Sequence, residues 1–256
     1  MNEQLSNKKI LIAGAGGLLG SQLVVSILEQ GAKAIAADLD LEKTKTNLER
    51  LDVKLDNASL EFYKLDITSE QAVKELFASD IKIDGAVNCT YPRNKAYGSH
   101  FFDVSLESFN ENLSLHLGSS FLFTQQCAAY FKKYKTPLSL VNISSIYGVV
   151  APDFSIYENT QMTMPVEYAA IKSALLHLNK YAVNYVGHSD FRINSVSPGG
   201  IFDHQPKPFL DAYKEKTHGK GMLDVSEVTG AIIFLLTEES RYITGQNIIV
   251  DDGFNL

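Results

Sequence analysis

Short apolar runs alternate along this chain with amphipathic stretches of helical length. The first run, Lys8 to Ala13, is followed by a helical pattern from about Leu18 to Gln30 that stops at Gly31. Ala34 to Ala37 is the next run, and a Lys- and Glu-rich helix begins at about Leu41. Leu60 to Leu65 reads as a strand, with Ser69 placed to cap a helix through Phe77. Gly85 to Asn88 and Leu138 to Ile143 are further strands, separated by a long helical region from about Ser105 to Tyr134. A second long helix is predicted over Val166 to Val186, then a strand over Phe191 to Val196, a helix over Val225 to Leu236 and a last strand over Gln246 to Val250. Seven apolar runs spaced by helices are the rhythm of repeated βαβ units. The predicted class is α/β: a doubly wound sheet of about seven parallel strands with helices on both faces, in one domain over residues 1–256.

Bulk properties narrow the function classes. At 256 residues and 45% hydrophobic content the chain can bury one substantial core. A formal net charge of −7 argues against nucleic acid as the main partner, because phosphate backbones need a basic face. Cys89 and Cys127 sit in apolar stretches and read as buried free thiols, which fits a reducing compartment. Met1 to Lys9 is polar with no apolar signal core, and the run Ala231 to Leu236 is far too short to span a bilayer. These features predict a soluble cytoplasmic protein with no membrane partner, and nothing in the reading calls for a metal.

The turn between the first strand and first helix reads Gly14-Ala-Gly16-Gly17-Leu18-Leu19-Gly20. Glycines there permit a tight turn and close approach of a pyrophosphate, and the helix start offers free N–H groups and the positive end of its dipole. Taken alone, the segment also fits a plain structural turn. Asp38, where the second strand ends, sharpens the picture. A carboxylate there accepts hydrogen bonds from both adenosine ribose hydroxyls and repels a 2′-phosphate, so the predicted cofactor is NAD, not NADP. Asp40 is the rival, as a ribose ligand or a solvated charge. Asp66, followed by Ile67 after the third strand, can accept from the adenine amino group or cap a helix.

The candidate chemistry lies further on. Tyr168-Ala-Ala-Ile-Lys172 places a phenol and an ammonium one helical turn apart on one face. A lysine ammonium lowers a nearby phenol pKa, which makes Tyr168 a usable proton donor or acceptor. Ser145, at the end of the strand Leu138 to Ile143, can hold a carbonyl or alcohol oxygen, while Ser144 is expected to face away or bond backbone. An exposed Tyr–Lys pair is the bland alternative.

These motifs stand in one frame with Asn88-Cys-Thr, Asn142-Ile-Ser-Ser145, Asn194-Ser-Val-Ser-Pro198-Gly199 and the ending Ile243-Thr-Gly-Gln-Asn-Ile-Ile-Val-Asp251-Asp-Gly253. In that combination the sequence resembles the short-chain dehydrogenase/reductase family over nearly its whole length. The resemblance implies a Rossmann-type fold and an NAD(H)-dependent oxidoreductase interconverting an alcohol and a carbonyl. It implies that Ser145 orients the substrate oxygen and that Tyr168 is the general acid/base. Lys172 lowers the tyrosine pKa and binds the nicotinamide ribose. Gly14, Gly17, Leu18, Leu19, Asp38, Asp66, Ile67, Asn88, Pro198, Gly199 and Ile201 line the cofactor site. The run Asn88-Cys-Thr-Tyr-Pro-Arg93, together with Leu115 to Phe121 and the Val-Asp-Asp-Gly-Phe ending, is similar to a subgroup linked to bacterial surface glycans, the acidic glycan of the flagellum among them. A sugar or sugar-nucleotide substrate follows from that resemblance alone, with Arg93 as a partner for its phosphate or carboxylate or as a solvent-exposed loop residue.

The sequence also departs from the family pattern. Ala13 stands where a Thr is usual, Asp203 replaces the Thr that follows Pro-Gly, and the gap from Ser145 to Tyr168 is longer than in the compact branch. The extra segment, about Ala151 to Pro165, is expected at the substrate mouth. His116 stands where a catalytic Asn completes a proton relay; it takes over that relay or is merely packed, and Asn112 one turn earlier is the other candidate. Two further function classes stay open: a non-catalytic dinucleotide-binding regulator or assembly factor, and a sugar-nucleotide dehydratase or epimerase. Apolar residues beyond the sheet-facing side of the two long helices predict a homodimer or homotetramer. They are Phe121, Phe123, Tyr130 and Phe131 on the first, and Leu175, Leu176, Leu178 and Tyr181 on the second.

Overall fold

The runs that are apolar at consecutive positions form the middle of a sheet covered on both sides, where either face of a strand must be apolar. In the computed structural model, which describes residues 3–256, the strands are β1 (Lys9–Ala13), β2 (Lys33–Asp38), β3 (Leu60–Lys64), β4 (Gly85–Asn88), β5 (Leu138–Ile143), β6 (Phe191–Pro198) and β7 (Asn247–Val250). They pair in the order β3-β2-β1-β4-β5-β6-β7, and every pairing is parallel. β4 and β6 are buried at every position, whereas β3 and β7 at the edges are only partly covered.

The helices are α1 (Leu18–Glu29), α2 (Leu41–Arg50), α3 (Glu70–Ala78), α4 (Leu106–Asn112), α5 (Ser119–Tyr134), α6 (Val166–Val186), α7 (Lys207–Lys214) and α8 (Ser226–Leu236). The period-two alternation of β1 sends Ile10 and Ile12 to one core, with Leu23 and Ile27 of α1 and Ile232 of α8. Leu11 and Ala13 go to the other, with Phe77 of α3 and Phe123 and Phe131 of α5. Ser69 caps α3 as expected, accepting from the Ala72 N–H at 3.2 Å. Asp40 caps α2 through the Lys43 N–H at 3.0 Å, so the rival to Asp38 has a structural occupation.

Two features differ from expectation. The long helical region is not continuous: a π-helical segment, Leu113–Gly118, separates α4 from α5. The wider turn shifts the register, and it carries His116 inward. Of the residues expected on an outer helix face, Phe123, Tyr130, Phe131 and Leu175 fill the core of this chain, while Phe121 and Tyr181 are exposed, joined by Tyr185. α7 was not anticipated. It packs Phe209 and Tyr213 on Ile156 and Tyr157 of the segment 151–165, forming a small third core beside the sheet. Among the described residues no helix is long and apolar enough to cross a membrane.

Strand order reverses direction between β1 and β4, and the loops after the carboxyl ends of these strands open a crevice there, where doubly wound sheets bind ligands.

Candidate active site

The glycine-rich turn leaves β1 at Gly14, which adopts φ of +83°; a Cβ there would meet the Cys89 backbone at 2.9 Å. Gly20 lets α1 lie against that turn, since a Cβ at this position would run into the Gly14 carbonyl. Gly17 is the N-cap of α1, with no side chain satisfying the first N–H groups. A Cβ at Gly17 would make only ordinary contact with protein, 3.4 Å from the Gly14 oxygen, so internal packing does not demand glycine there. With room beside Gly17 and free N–H groups at the helix start, the turn fits a pyrophosphate.

Asp38 ends β2 half-buried, its Oδ2 accepting from the Gly16 N–H at 2.9 Å and its Oδ1 from the Asp40 N–H at 3.1 Å. The carboxylate buttresses the glycine turn. Asp66 does not cap α3; its Oδ1 accepts from the Thr68 N–H and hydroxyl at 2.9 and 2.7 Å, fixing the turn after β3. Ile67 beside it is buried in the core. Asn88 ties the end of β4 to α5 through Ser120 Oγ at 3.3 Å, and its Oδ1 holds Thr90. Leu19, Pro198, Gly199 and Ile201 line the crevice, and Leu18 is exposed at its edge.

Ser145, Tyr168 and Lys172 line the same cavity, which has a volume of about 400 Å³. Ser145 follows β5, and its Oγ accepts from the Tyr147 N–H at 3.2 Å. Ser144 turns away and donates to the Lys172 carbonyl at 2.9 Å, fastening the end of β5 to α6. Tyr168 and Lys172 rise from α6 on one face, with the Lys172 Nζ 5.5 Å from the Tyr168 ring centre. The ammonium donates to the Ile143 carbonyl at 2.8 Å and lies 3.4 Å from His116 Nε2. Asn112 instead bonds Asn94 and Glu167, so His116 is the residue of the π segment that reaches Lys172.

Burial raises the Tyr168 phenol above its usual value, with the Ser145 hydroxyl drawing it back. The Lys172 amine, bonded to the Ile143 carbonyl, is itself pushed down by burial, from 10.5 to about 7. His116 is held well below the usual imidazole value by burial and by the Lys172 and Arg93 charges, so its ring is neutral at pH 7.

The Lys172 shift makes a stability prediction. Between about pH 7 and 10.5 the unfolded chain keeps a proton on this lysine that the folded chain releases. The unfolded state binds more protons, so this group's contribution to stability rises with pH across that window. Lys172→Met should flatten the rise, measured by urea unfolding at pH 7 and pH 9. An unchanged slope would mean that the lysine is not desolvated.

Sequence reasoning missed the aromatic walls. Tyr91, Tyr97, Tyr147, Tyr157 and Tyr213 all line the cavity, as do Phe209 and three methionines. The Tyr91 ring meets Tyr168 edge-on at 5.5 Å and His116 at 5.1 Å, and its hydroxyl bonds that of Tyr97. Arg93 stacks over the Tyr91 ring at 4.7 Å. The segment 151–165 borders the mouth as expected, supplying Tyr157, Met162, Thr163, Met164 and Pro165. Asp203 is exposed, its backbone N–H bonded to Gln205.

A family model described as enoyl-(acyl carrier protein) reductase matches residues 14–255. A solved short-chain dehydrogenase from Leptospira borgpetersenii, with bound NAD+, is 31% identical and superposes with a TM-score of 0.86, covering 99% of this chain and 95% of that one. The chain belongs to the short-chain dehydrogenase/reductase family. It is an oxidoreductase of that family, whose members bind NAD(P). The post-translational flagellin modification protein A of Campylobacter coli is 40% identical over 262 residues, spanning 98% of this chain and all of that protein. The 7alpha-hydroxysteroid dehydrogenase of Bacteroides fragilis is 26% identical over 99% of this chain. The motifs from Gly14 to Gly253 lie within the matched residues 14–255.

Proposed function

We propose that this short-chain dehydrogenase/reductase is a cytoplasmic NAD(H)-dependent enzyme of one catalytic domain. It interconverts an alcohol and a carbonyl on a sugar or sugar nucleotide, in bacterial flagellin or surface-glycan biosynthesis. The observation that carries the reading is the convergence of Ser145, Tyr168 and Lys172 on one cavity beside the glycine turn. Two observations support a sugar. A relative at 40% identity is called a flagellin modification protein. Among the residues lining the cavity, Lys172 alone is charged, and the walls are phenols and apolar rings. Aromatic faces suit the C–H faces of a sugar ring, and phenol hydroxyls suit its hydroxyls. Arg93 at the rim suits a phosphate or carboxylate carried outside the chamber.

The residues present fit a dinucleotide. Gly14, Gly17, Leu18 and Leu19 would take its pyrophosphate, Asp38 its adenosine ribose, Asp66 and Ile67 its adenine. Asn88, Pro198, Gly199 and Ile201 would border its nicotinamide, with Tyr168 and Lys172 on the nicotinamide ribose. When bound, it supplies or accepts the hydride. The Ser145 hydroxyl would hold the substrate oxygen by donating a hydrogen bond to it, beside Tyr168. In reduction the Tyr168 phenol gives its proton to that oxygen; in oxidation the phenolate takes it. The apolar and aromatic walls keep water from the reacting carbon.

A panel of alcohols offered with NAD+ tests this: cyclohexanol, cyclohexane-1,2-diol, a free hexose, a hexose phosphate and a nucleotide-linked hexose. NADH should accumulate fastest with a hexose derivative. Turnover confined to cyclohexanol would remove the sugar, and no turnover by a protein that binds NADH would favour a regulator. Exposed Phe121, Tyr181 and Tyr185 on α5 and α6 support a homodimer or homotetramer. Light scattering at micromolar concentration should give a multiple of 28.3 kDa, and a monomer would refute it.

A further inference from the structure

Five tyrosines besides Tyr168 wall the cavity, and they fall into two groups. Tyr157 and Tyr213 belong to the small third core, and Tyr147 meets Phe254, near the end of the chain, edge-on. The Tyr213 hydroxyl accepts from the Gly200 N–H at 2.6 Å, and the Tyr157 hydroxyl donates to that of Tyr147 at 3.2 Å. Tyr91 and Tyr97 come from the loop after β4 and stand beside the reacting groups instead. The Tyr91 ring lies against those of Tyr168 and His116, and the Lys172 ammonium is 5.8 Å from its centre. The Tyr91 and Tyr97 hydroxyls share one hydrogen bond and have no other protein partner among the described residues. Two phenols carry two protons, and that bond uses one of them. The other is left to donate, in the cavity that Tyr168 also lines. Burial raises both phenols above their usual pKa, and the neighbouring Tyr168 and Glu167 add to the rise, so both keep their protons at pH 7.

The loop fixes where that donor stands. Asn94 donates its N–H to Asn112 Oδ1 at 3.0 Å and its Nδ2 to Glu111 Oε2 at 2.7 Å, and Asn112 Nδ2 donates back to Asn94 Oδ1 at 3.2 Å. The Arg93 guanidinium covers both rings, 4.7 and 5.9 Å from the centres of Tyr91 and Tyr97. A donor pinned in this way loses little freedom when it takes up an oxygen. We propose that the Tyr91–Tyr97 hydroxyl pair is a second oxygen-binding subsite, which holds a substrate hydroxyl on the carbon next to the reacting one. The edge-on contact of the Tyr91 and Tyr168 rings limits that oxygen to a carbon close to the chemistry. The inference rests on the alcohol–carbonyl reading of the cavity and deepens it: the substrate class is a vicinal diol or polyol, as in a sugar ring. Ser145 and Tyr168 take the reacting oxygen, and the phenol pair takes its neighbour. A lone alcohol leaves the phenol proton unpaired, the mismatch by which hydrogen-bonding sites discriminate.

The test is the ratio of kcat/KM for cyclohexane-1,2-diol, offered as separate cis and trans isomers, to that for cyclohexanol, with NAD+ as oxidant. The wild type should favour the better diol isomer by about tenfold, and the Tyr91→Phe/Tyr97→Phe double variant should bring the ratio to about one. Both rings stay in that variant, so the contacts with Tyr168, His116 and Arg93 stay. A merely structural role for the pair would slow both alcohols together and leave the ratio where it was, which would overturn the subsite. A wild-type ratio near one overturns it too, as does a ratio that falls only in Tyr147→Phe. The same preference is read without turnover from the dissociation constants of the two alcohols in the complex with NADH, by ligand-observed NMR. A diol preference there that the double variant abolishes, in a protein that oxidises neither alcohol, would keep the subsite and remove the alcohol–carbonyl reading. Turnover of both alcohols with no preference in either measurement would do the reverse.

Discussion

Tyr168→Phe should lower turnover by about two orders of magnitude or more while leaving NADH affinity nearly unchanged. The ring stays, so its edge-on packing with Tyr91 at 5.5 Å stays, and only the hydroxyl that faces Ser145 is lost. Burial raises the phenol pKa, which makes Tyr168 a stable proton carrier at rest and a donor once negative charge develops on the substrate oxygen. Ser145→Ala should also cut turnover with little effect on the cofactor. Lys172→Ala should harm both, because its ammonium anchors the end of β5 through Ile143 and borders the cofactor crevice. The comparison is made by fluorescence titration of NADH and steady-state rates on one alcohol. Substantial activity in a folded Tyr168→Phe protein would mean that another group moves the proton.

NADPH should bind at least about tenfold more weakly than NADH, because a 2′-phosphate would meet the Asp38 carboxylate at a partly exposed site. There a pair of like charges costs roughly 1–4 kcal/mol. Asp38→Asn is the informative variant. It removes the charge but keeps an oxygen for the Gly16 N–H, so the glycine turn that the carboxylate supports at 2.9 Å should survive. The ratio of the two affinities should then fall toward one. Equal binding of both cofactors by the wild type would remove Asp38 from the ribose site. A loss of all cofactor binding in Asp38→Asn would show that its main work is holding the turn.

The sheet was legible because buried parallel strands leave continuous apolar runs, and β4, β5 and α6 fall on their expected bounds. Ser69 was legible as a cap for a local reason: its hydroxyl needs only the N–H three residues on. The glycine turn, Ser145, Tyr168 and Lys172 were legible because each is read within a few residues of itself. What sequence could not show depends on distant neighbours. The π segment keeps helical spacing of apolar residues, so nothing at 113–118 announces the wider turn that brings His116 to Lys172. Lys172 was expected on one helix face with Tyr168, but its bond to the Ile143 carbonyl, 29 residues away, has no local signal. Glu167 carries no signal in the sequence, and only packing shows that it is fully buried. Tyr97 carries no signal in the sequence, and for Tyr91 the signal was a Tyr-Pro-Arg run three residues past a strand end.

The most direct test of the account is the mass of the product formed from the panel alcohol that reacts fastest with NAD+. The account predicts a product lighter by two hydrogens, with one NADH released for each molecule converted and both signals falling together in Tyr168→Phe. A product lighter by one water, or an isomer of unchanged mass, with no net NADH, would contradict it and assign the cavity to a dehydratase or epimerase.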